Sequence, residues 1–263
     1  MDFIFDGKAL SDFGYVIAYE NAVSENTVVS GMSYQTIKPA LSDISHKVAH
    51  EYSENLSTTF LIMKNYCVYD NQNMTDDDIS EMTKWLVRKQ YKWFRYIKED
   101  DITDEVWWKV QNTVEKVIEG GHVIGLSITV NADAPYGYTR EVNDNWDSTA
   151  GSTHSIVVHS DEEGYIYPDV VIKVGGSGNL VITNTYENRT TVINNVTNNE
   201  IIRMDGGDVQ QIISSRSAHD ISSDFNYRFL RLCNEYGNYK NGITTNLPCN
   251  ISLSYRGIRK VGL

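Results

Sequence analysis

The segment from Val123 to Val130 shows the most regular alternation in the chain, with large apolar residues at every second position. A period of two is typical of a β-strand with one buried face. The next stretch, residues 131–138, contains turn-forming residues, two tyrosines and Pro135, which cannot pair inside a central strand. Because this break lies near the middle of 263 residues, it predicts two β-rich domains, residues 1–134 and residues 135–263.

Several further strands are predicted in the first half. Asp6-Gly7 lies between two short apolar runs, which is a strong signal for a β-hairpin. The segment 105–118 fits both strand alternation and a helical stripe, and its two adjacent tryptophans and its valines favour a strand. Other strands are indicated over residues 13–17, 57–63 and 91–98.

One helix is predicted to begin after Thr75, an N-cap residue. Asp78 completes a capping-box pattern with Thr75, and the acidic first turn, residues 76–78, complements the positive end of the helix dipole. The apolar stripe is Ile79, Met82 and Leu86, and the basic residues near the carboxyl end are Lys84, Arg88 and Lys89.

Short strands separated by polar turns account for the second half. They are predicted at residues 154–159, 165–174, 179–186, 190–197, 199–204, 209–214, 225–232 and 249–256. This spacing favours a β-sandwich or jelly roll. Gly175–Gly178 and Gly206–Gly207 are predicted hairpin turns, because neither has the Lys-Ser/Thr and the helix that a phosphate cradle needs. The predicted fold class is therefore mainly β: an N-terminal β-rich domain with one α-helix, then a C-terminal β-sandwich of jelly-roll type.

The composition supports a packed, sheet-rich protein, since 41% of the residues are hydrophobic and 17 are tyrosines. The net charge is −12 and is uneven, with 21 acidic against 12 basic residues in 1–134. An acidic protein does not bind nucleic acid through charge alone, but it can line a passage through which a polyanion slides.

The chain begins without a signal peptide and contains no apolar run long enough to span a bilayer, so we expect a soluble protein made in the cytoplasm, with no membrane contact. Its three cysteines are too few and too scattered for a disulfide framework or a zinc site. We expect Cys233 and Cys249 to be buried free thiols.

His154 and His159, followed by the acidic residues 161–163, are the best metal candidates. Five positions apart on one strand, the two histidines would point to opposite faces, so we interpret them as strand residues followed by an acidic turn. The sequence lacks a Gly-x-Ser-x-Gly elbow and any compact acid–base group. We therefore predict no catalytic, cofactor-binding or metal-binding residues, no cofactor, and no enzyme activity.

Residues 84–98 carry six basic side chains interleaved with aromatic ones, a composition found in nucleic-acid sites. Acidic residues precede and follow this segment, however, and such self-complementary charge also suits contact between identical subunits or a solvated helix face.

A carbohydrate-binding sandwich is the alternative function of the chain. The second half contains only one of the five tryptophans, Trp146 near the boundary, so tyrosines would have to supply much of its aromatic platform.

Four short segments, in this order and spacing, resemble the distal tail protein (Dit) family of long-tailed, non-contractile bacteriophages (siphophages) that infect Gram-positive hosts. They are Phe13-Gly14-Tyr15, the strand end at Asp133–Tyr138, Asn199–Asp205 and the closing segment Cys249–Gly262. The segment Leu232–Asn241 is longer than the usual turn before the last strands in that family.

The resemblance implies a structural component of the tail-tip baseplate hub, located in the virion. In that family the N-terminal domain forms a ring, usually a hexamer, that continues the channel of the tail tube, and the C-terminal domain is a galectin-like β-sandwich. The implied partners are other copies of the chain, the major tail tube protein, the tail-associated (tip) protein and the receptor-binding proteins, while genomic DNA passes through without specific binding. Such a conduit also leads us to expect the acids of residues 1–134 to be over-represented on the lumen.

Overall fold

The computed structural model describes residues 2–18, 28–29, 31–69, 71–97, 105–207, 209–235 and 240–263. Internal contacts divide the chain into two compact units: Met1–Tyr138 with Arg259–Leu263, and Thr139–Ile258. The boundary predicted from the sequence falls after residue 134 and leaves the whole carboxyl end in the second domain. In the structure the last residues return to the first unit, because Leu263 is buried in its core.

The first unit contains a large, mostly antiparallel sheet and a separate hairpin. In chain order its elements are β1 (Asp2–Phe5), β2 (Lys8–Ala9), a 3₁₀ turn (Leu10–Phe13), β3 (Tyr15–Ala18), β4 (Met32–Ile37), β5 (His46–Tyr52), β6 (Ser57–Lys64), helix α1 (Asp76–Leu86), β7 (Lys92–Ile97), β8 (Val106–Glu119), β9 (His122–Ala132) and β10 (Gly137–Thr139). The main sheet has the order β2-β1-β7-β8-β9-β6-β3, and β10 pairs with β8.

The local signals for this sheet are confirmed. In β9 the alternating residues Leu126, Ile128 and Val130 are buried. Asp6 and Gly7 both have positive φ, 49° and 79°, which is the backbone that a two-residue hairpin requires. The ambiguous segment 105–118 is a strand, since β8 pairs with both β7 and β9. The strand expected over 13–17 begins only at Tyr15, because Phe13 still belongs to the 3₁₀ turn.

Helix α1 covers one face of the sheet and begins as predicted. Thr75 Oγ1 accepts a hydrogen bond from the Asp78 N–H, and Asp78 Oδ2 accepts one from the Thr75 N–H. Met82, Trp85 and Leu86 are buried in the core. The helix ends at Leu86, so Arg88 and Lys89 lie beyond it instead of within its last turn. No helix in the described ranges is long and apolar enough to cross a membrane.

The second unit is a β-sandwich built around one hydrophobic core. Its elements are β11 (Val142–Ser148), β12 (Thr153–Val157), β13 (Gly164–Ile166), β14 (Asp169–Val174), β15 (Gly178–Asn184), β16 (Arg189–Val196), β17 (Ile201–Asp205), β18 (Gln211–Ser214), the short helix α2 (Ile221–Asp224), β19 (Leu232–Asn234), β20 (Lys240–Thr245) and β21 (Cys249–Tyr255). One sheet has the order β11-β21-β14-β17-β18 and the other β12-β20-β15-β16. A last strand, β22 (Ile258–Arg259), pairs with β10.

Three predictions for the second unit are wrong in detail. Gly175–Gly178 is not a hairpin turn: it connects β14 in one sheet to β15 in the other. The segment 165–174 is two strands, because Tyr167 and Pro168 interrupt it between β13 and β14. The strand expected over 225–232 is absent, and Phe225 makes only an isolated bridge to Ile193. Gly206–Gly207, by contrast, does connect two paired strands, β17 and β18.

The expectation for the two cysteines of the second unit is confirmed. Cys233 and Cys249 are free and buried, and burial raises the pKa of each thiol to about 11. Both therefore remain protonated and unreactive near neutral pH. Cys67 in the first unit is free and exposed.

Candidate assembly surface

The metal candidates are separated in the structure. His154 lies in β12, with Nε2 2.7 Å from Asp144 Oδ2, and its ring stacks on Trp146 at a centroid distance of 4.1 Å. His159 lies beyond the end of β12, so the two histidines do not share a strand. His154 thereby joins the edge strand of one sheet to the edge strand of the other. No group of three or more His, Cys, Asp or Glu side chains that could hold a metal occurs among the described residues.

The basic and aromatic segment 84–98 is largely committed to contacts within the first unit. Arg88 and Lys92 lie 3.2 and 3.3 Å from the carboxylate of Asp6, and Arg95 lies 2.6 Å from Glu105. Two of the aromatic side chains are core residues: Trp85 donates its indole N–H to the Phe5 carbonyl, and Phe94 is fully buried. Much of the charge that suggested contact between subunits is thus neutralised within one subunit.

The hairpin formed by β4 and β5, residues 32–52, is separate from the main sheet of the first unit. These strands pair with each other and with no other described strand. Nearly every residue in them is exposed, including large side chains such as Tyr34 and Ile37, at 57% and 60% of their full area. A two-stranded hairpin alone is marginally stable in water, and neither outer edge of this one pairs with another described strand.

One face of this hairpin carries a mixed apolar and basic surface. Met32 lies opposite Tyr52, and Tyr34 lies opposite His50. Lys47 Nζ lies 4.5 Å from the centre of the Tyr34 ring, and the Tyr34 hydroxyl donates to Met32 Sδ at 3.8 Å. Further exposed apolar side chains on or near the tip are Leu41, Ile44 and Val48. Exposed apolar side chains in this number are typical of a surface that binds another protein.

The base of the hairpin is fixed to the rest of the first unit. Ser53 donates both its backbone N–H and its hydroxyl to the Gly31 carbonyl, at 2.9 and 3.0 Å, which joins the two ends of the hairpin to each other. The Tyr52 ring lies edge-on to the Tyr136 ring at 5.9 Å, and Lys260 Nζ lies 5.9 Å from the Tyr52 ring. The hairpin is thus anchored at its base, while its strands and tip are exposed.

Two of the four segments that resemble the distal tail protein family each contain a glycine with a local structural role. Gly14 has φ of 76°, and a Cβ there would lie 2.8 Å from the Tyr69 ring, so only glycine fits without strain. Gly257 packs so closely that a Cβ would lie 2.1 Å from the His159 carbonyl oxygen. These residues preserve the shape of loops and carry no chemistry of their own.

Glu200, in the third motif segment, is the centre of a buried polar cluster. Its carboxylate accepts hydrogen bonds from the Thr197 N–H at 2.9 Å and the Ser214 hydroxyl at 2.6 Å, and it contacts His219 Nδ1 at 2.5 Å. Burial alone would raise the pKa of Glu200, but the hydrogen bonds from Ser214, His219 and Thr197 outweigh it and lower the pKa to about 2. The cluster ties β17, β18 and the segment before α2 together.

The sequence signal for the hairpin was weak. Its strands are exposed on both faces, so apolar and polar residues do not alternate regularly over 32–37 or 46–52. The one available indication was indirect: Tyr34, Ile37, Ile44 and Val48 bring apolar side chains into an otherwise polar stretch. In the basic segment 84–98, for which the sequence left subunit contact and a solvated helix face open, Arg88, Lys92 and Arg95 contact carboxylates of the first unit.

Comparison with known proteins assigns a family to each half of the chain. A family model described as a phage tail protein N-terminal domain matches residues 1–134, and one described as a phage tail C-terminal domain matches residues 136–255. The crystal structure of the SPP1 Dit protein, described as a paradigm of the hub adsorption apparatus in Gram-positive infecting phages, has the same fold. It aligns with a TM-score of 0.62 and 12% identity over 97% of this chain and 98% of that one. No curated protein sequence matches the chain.

Proposed function

The chain belongs to a family of phage tail proteins, and from this premise we propose that it forms the ring-shaped hub of a tail tip. In this proposal the first unit closes into a ring, a hexamer by resemblance to the distal tail proteins, and continues the channel of the tail tube. The fold shared with the SPP1 Dit protein supports the proposal. The predicted resemblance to that family is confirmed by the family match and by the fold.

The observation that carries the proposal is the exposed hairpin of β4 and β5. Its outer edges pair with no other described strand and its strands carry exposed apolar side chains, while Tyr52 at its base contacts Tyr136. A second copy of the chain can cover this surface, and repetition of one such contact around an axis closes a ring. We infer that the hairpin is the principal contact between neighbouring subunits.

The charge of the first half suits a conduit for DNA. Residues 1–134 contain 21 acidic and 12 basic residues, and the cations Arg88, Lys92 and Arg95 already contact carboxylates of the same unit. A wall of like charge prevents the phosphate contacts that would slow a passing genome. The acids of this half are therefore expected on the lumen of the ring.

We infer the remaining partners from the proposed position of the ring in the tail. The two faces of the ring would bind the major tail tube protein and the tail-associated (tip) protein, and the second unit would project towards the receptor-binding proteins. The protein would act as a scaffold in the virion without catalysis. Zymography of the purified chain on bacterial cell walls tests this last point, with no clearing expected.

Mass photometry of the purified full chain tests assembly. We expect a discrete species near 180 kDa, six times the chain mass of 29.9 kDa. A variant with Tyr34→Ser, Ile37→Ser and Val48→Ser removes apolar surface that the fold of the single chain does not bury, so it should remain folded and shift to the monomer. Val157→Ser, which changes an exposed apolar residue elsewhere, is the matched control and should assemble normally.

The result that would contradict the proposed interface is equal assembly of the hairpin variant and the Val157→Ser control. A wild-type chain that stays monomeric at micromolar concentration and in isolated tails would contradict the ring itself. Circular dichroism of each variant separates loss of assembly from loss of folding.

A further inference from the structure

A groove of about 310 Å³ lies on the solvent-facing side of the sandwich sheet β11-β21-β14. The buried residues of β21, such as Ile251 and Leu253, point into the core, so Ser252 and Ser254 point away from it. The volume is at the lower end of the range of small-molecule sites, which is about 300–1,000 Å³. Nothing in the proposed ring uses this face.

Strand register explains why a groove forms here. One row across the sheet is Asn143, Ser254 and Asp169, and the next is Asn145, Ser252 and Val171. In these two rows the central strand carries only serines, while the strands on either side carry longer side chains. Since neighbouring strands are about 4.8 Å apart, the result is a trough about 10 Å wide with hydroxyl groups on its floor.

The second row is held in place by hydrogen bonds. Asn145 Nδ2 donates to Ser252 Oγ at 2.9 Å, and Asn250 Nδ2 donates to Asn145 Oδ1 at 3.2 Å and to Asp147 Oδ1 at 2.9 Å. In this way the amide of Asn145 has a fixed orientation before any ligand arrives. Such pre-organisation lowers the entropic cost of binding.

The first row has unused hydrogen-bonding capacity. The side chains of Asn143 and Ser254 make no hydrogen bond to another described residue, and Asp169 uses Oδ1 to accept the Gly206 N–H at 2.8 Å, which leaves Oδ2 open. The trough therefore offers both donors and acceptors, beside the apolar surface of Val171. Vicinal hydroxyl groups, each a donor and an acceptor, match this pattern, and Val171 can contact the C–H face of a sugar ring.

The charges around the groove provide no net attraction for a polyanion. The outward-facing positions on and beside the two rows include three carboxylates and two cations, which nearly cancel: Asp147, Asp169, Asp205, Lys173 and Arg203. A phosphate-rich chain would find a carboxylate, Asp169, inside the groove itself. An uncharged ligand incurs no such repulsion.

We propose that this groove binds a short, uncharged segment of a cell-surface polysaccharide. The binding chemistry belongs to the single chain and does not depend on a ring. If the proposed ring forms, it presents several copies of the groove to one surface, so weak individual sites add to a strong attachment.

Saturation-transfer-difference NMR of the full chain tests the proposal with neutral glucose, galactose and N-acetylglucosamine oligosaccharides, and with glycerol-phosphate oligomers as the polyanionic probe. We expect transfer to a neutral oligosaccharide and none to the phosphate oligomer. Ser252→Phe fills the floor of the trough and should weaken binding by at least about tenfold. Ser155→Phe, an exposed serine on β12 of the other sheet, is the control and should bind like the wild type.

Absence of transfer to every neutral oligosaccharide at millimolar concentration would overturn the proposal, as would binding confined to glycerol phosphate or equal binding by Ser252→Phe and Ser155→Phe. If Ser252→Phe fails to fold by circular dichroism, Asn143→Ala with Ser254→Ala removes the open polar groups without adding bulk, and the same loss is expected. Ring formation is measured separately by mass photometry and does not depend on sugar binding. An incorrect prediction of sugar binding can therefore be distinguished from an incorrect prediction of ring assembly.

Discussion

Lys64 and Asp78 form an ion pair in the first unit, with Nζ 2.7 Å from Oδ2. Lys64 is buried at the end of β6 and also donates to the Asn73 carbonyl at 3.0 Å. Asp78 is the residue that completes the capping box of α1 with Thr75. One carboxylate therefore neutralises a buried cation and closes the start of the helix, which fixes α1 to the sheet.

Replacement of Asp78 should be strongly destabilising. Asp78→Ala leaves Lys64 buried without its counter-ion and removes half of the capping box, and we expect a loss of about 3–5 kcal/mol in the free energy of unfolding. Asp77→Ala, in the same turn but exposed, is the control and should cost less than about 0.5 kcal/mol. Urea denaturation of both variants measures the difference. Similar midpoints for the two would contradict the assigned role of the pair.

Glu200 should make the stability of the protein depend on pH in the acid range. Its pKa is about 2 in the folded chain and 4.5 ordinarily, so the unfolded chain binds a proton at a higher pH than the folded chain does. The stability that Glu200 contributes is complete above pH 4.5 and is lost as the pH falls from there towards 2.

Thermal unfolding of Glu200→Gln against pH tests this linkage. We expect a loss of about 1–3 kcal/mol near neutral pH, since the amide places donors where the carboxylate only accepts, and a shallower decline below pH 4.5. Glu163→Gln, at an exposed position, should retain the wild-type acid profile. Parallel acid profiles for Glu200→Gln and the wild type would show that another carboxylate dominates.

Gly14 should not tolerate a side chain. Gly14→Ala forces a left-handed backbone on alanine and places its Cβ against the Tyr69 ring, whose hydroxyl is held by the Phe13 carbonyl at 3.1 Å. The expected cost is about 1–3 kcal/mol. At Gly31 the nearest atom lies 4.0 Å from the position that a Cβ would take, so Gly31→Ala should be nearly neutral. Chemical denaturation compares the two, and an equal effect would be incompatible with strain at Gly14.

The fourth prediction concerns the charge of the side chains that line the channel. In a map of the assembled ring, acids of residues 1–134 should be over-represented on the lumen relative to the outer surface. Lysine substitutions of the lumen-facing acids should slow DNA ejection from assembled particles, because phosphate would then bind the wall. A lumen lined mainly by basic residues would contradict this prediction.

The elements that sequence alone predicted correctly are those specified locally. The turn at Asp6-Gly7, the capping box of Thr75 and Asp78, and the alternation in β9 each depend on residues a few positions apart. The mainly β fold with one substantial helix followed from such signals and is confirmed.

The errors arise where tertiary contacts decide the structure. Gly175–Gly178 has the composition of a hairpin turn, but β14 pairs with β17 and β21 instead of β15, which only the sandwich topology determines. Strand β11 was missed because its exposed positions are mostly Asn and Asp, and it is stabilised by pairing with the distant β21. The groove on this face depends on register between those same strands, so no local motif could have indicated it.

The most direct test of the central claim is an electron cryomicroscopy map of the tail tip that contains this chain. The account predicts a closed ring of identical subunits in which the β4–β5 hairpin of each lies against the next subunit, around an open channel. A single copy of the chain at the tip, or a ring in which every hairpin remains exposed to solvent, would contradict it.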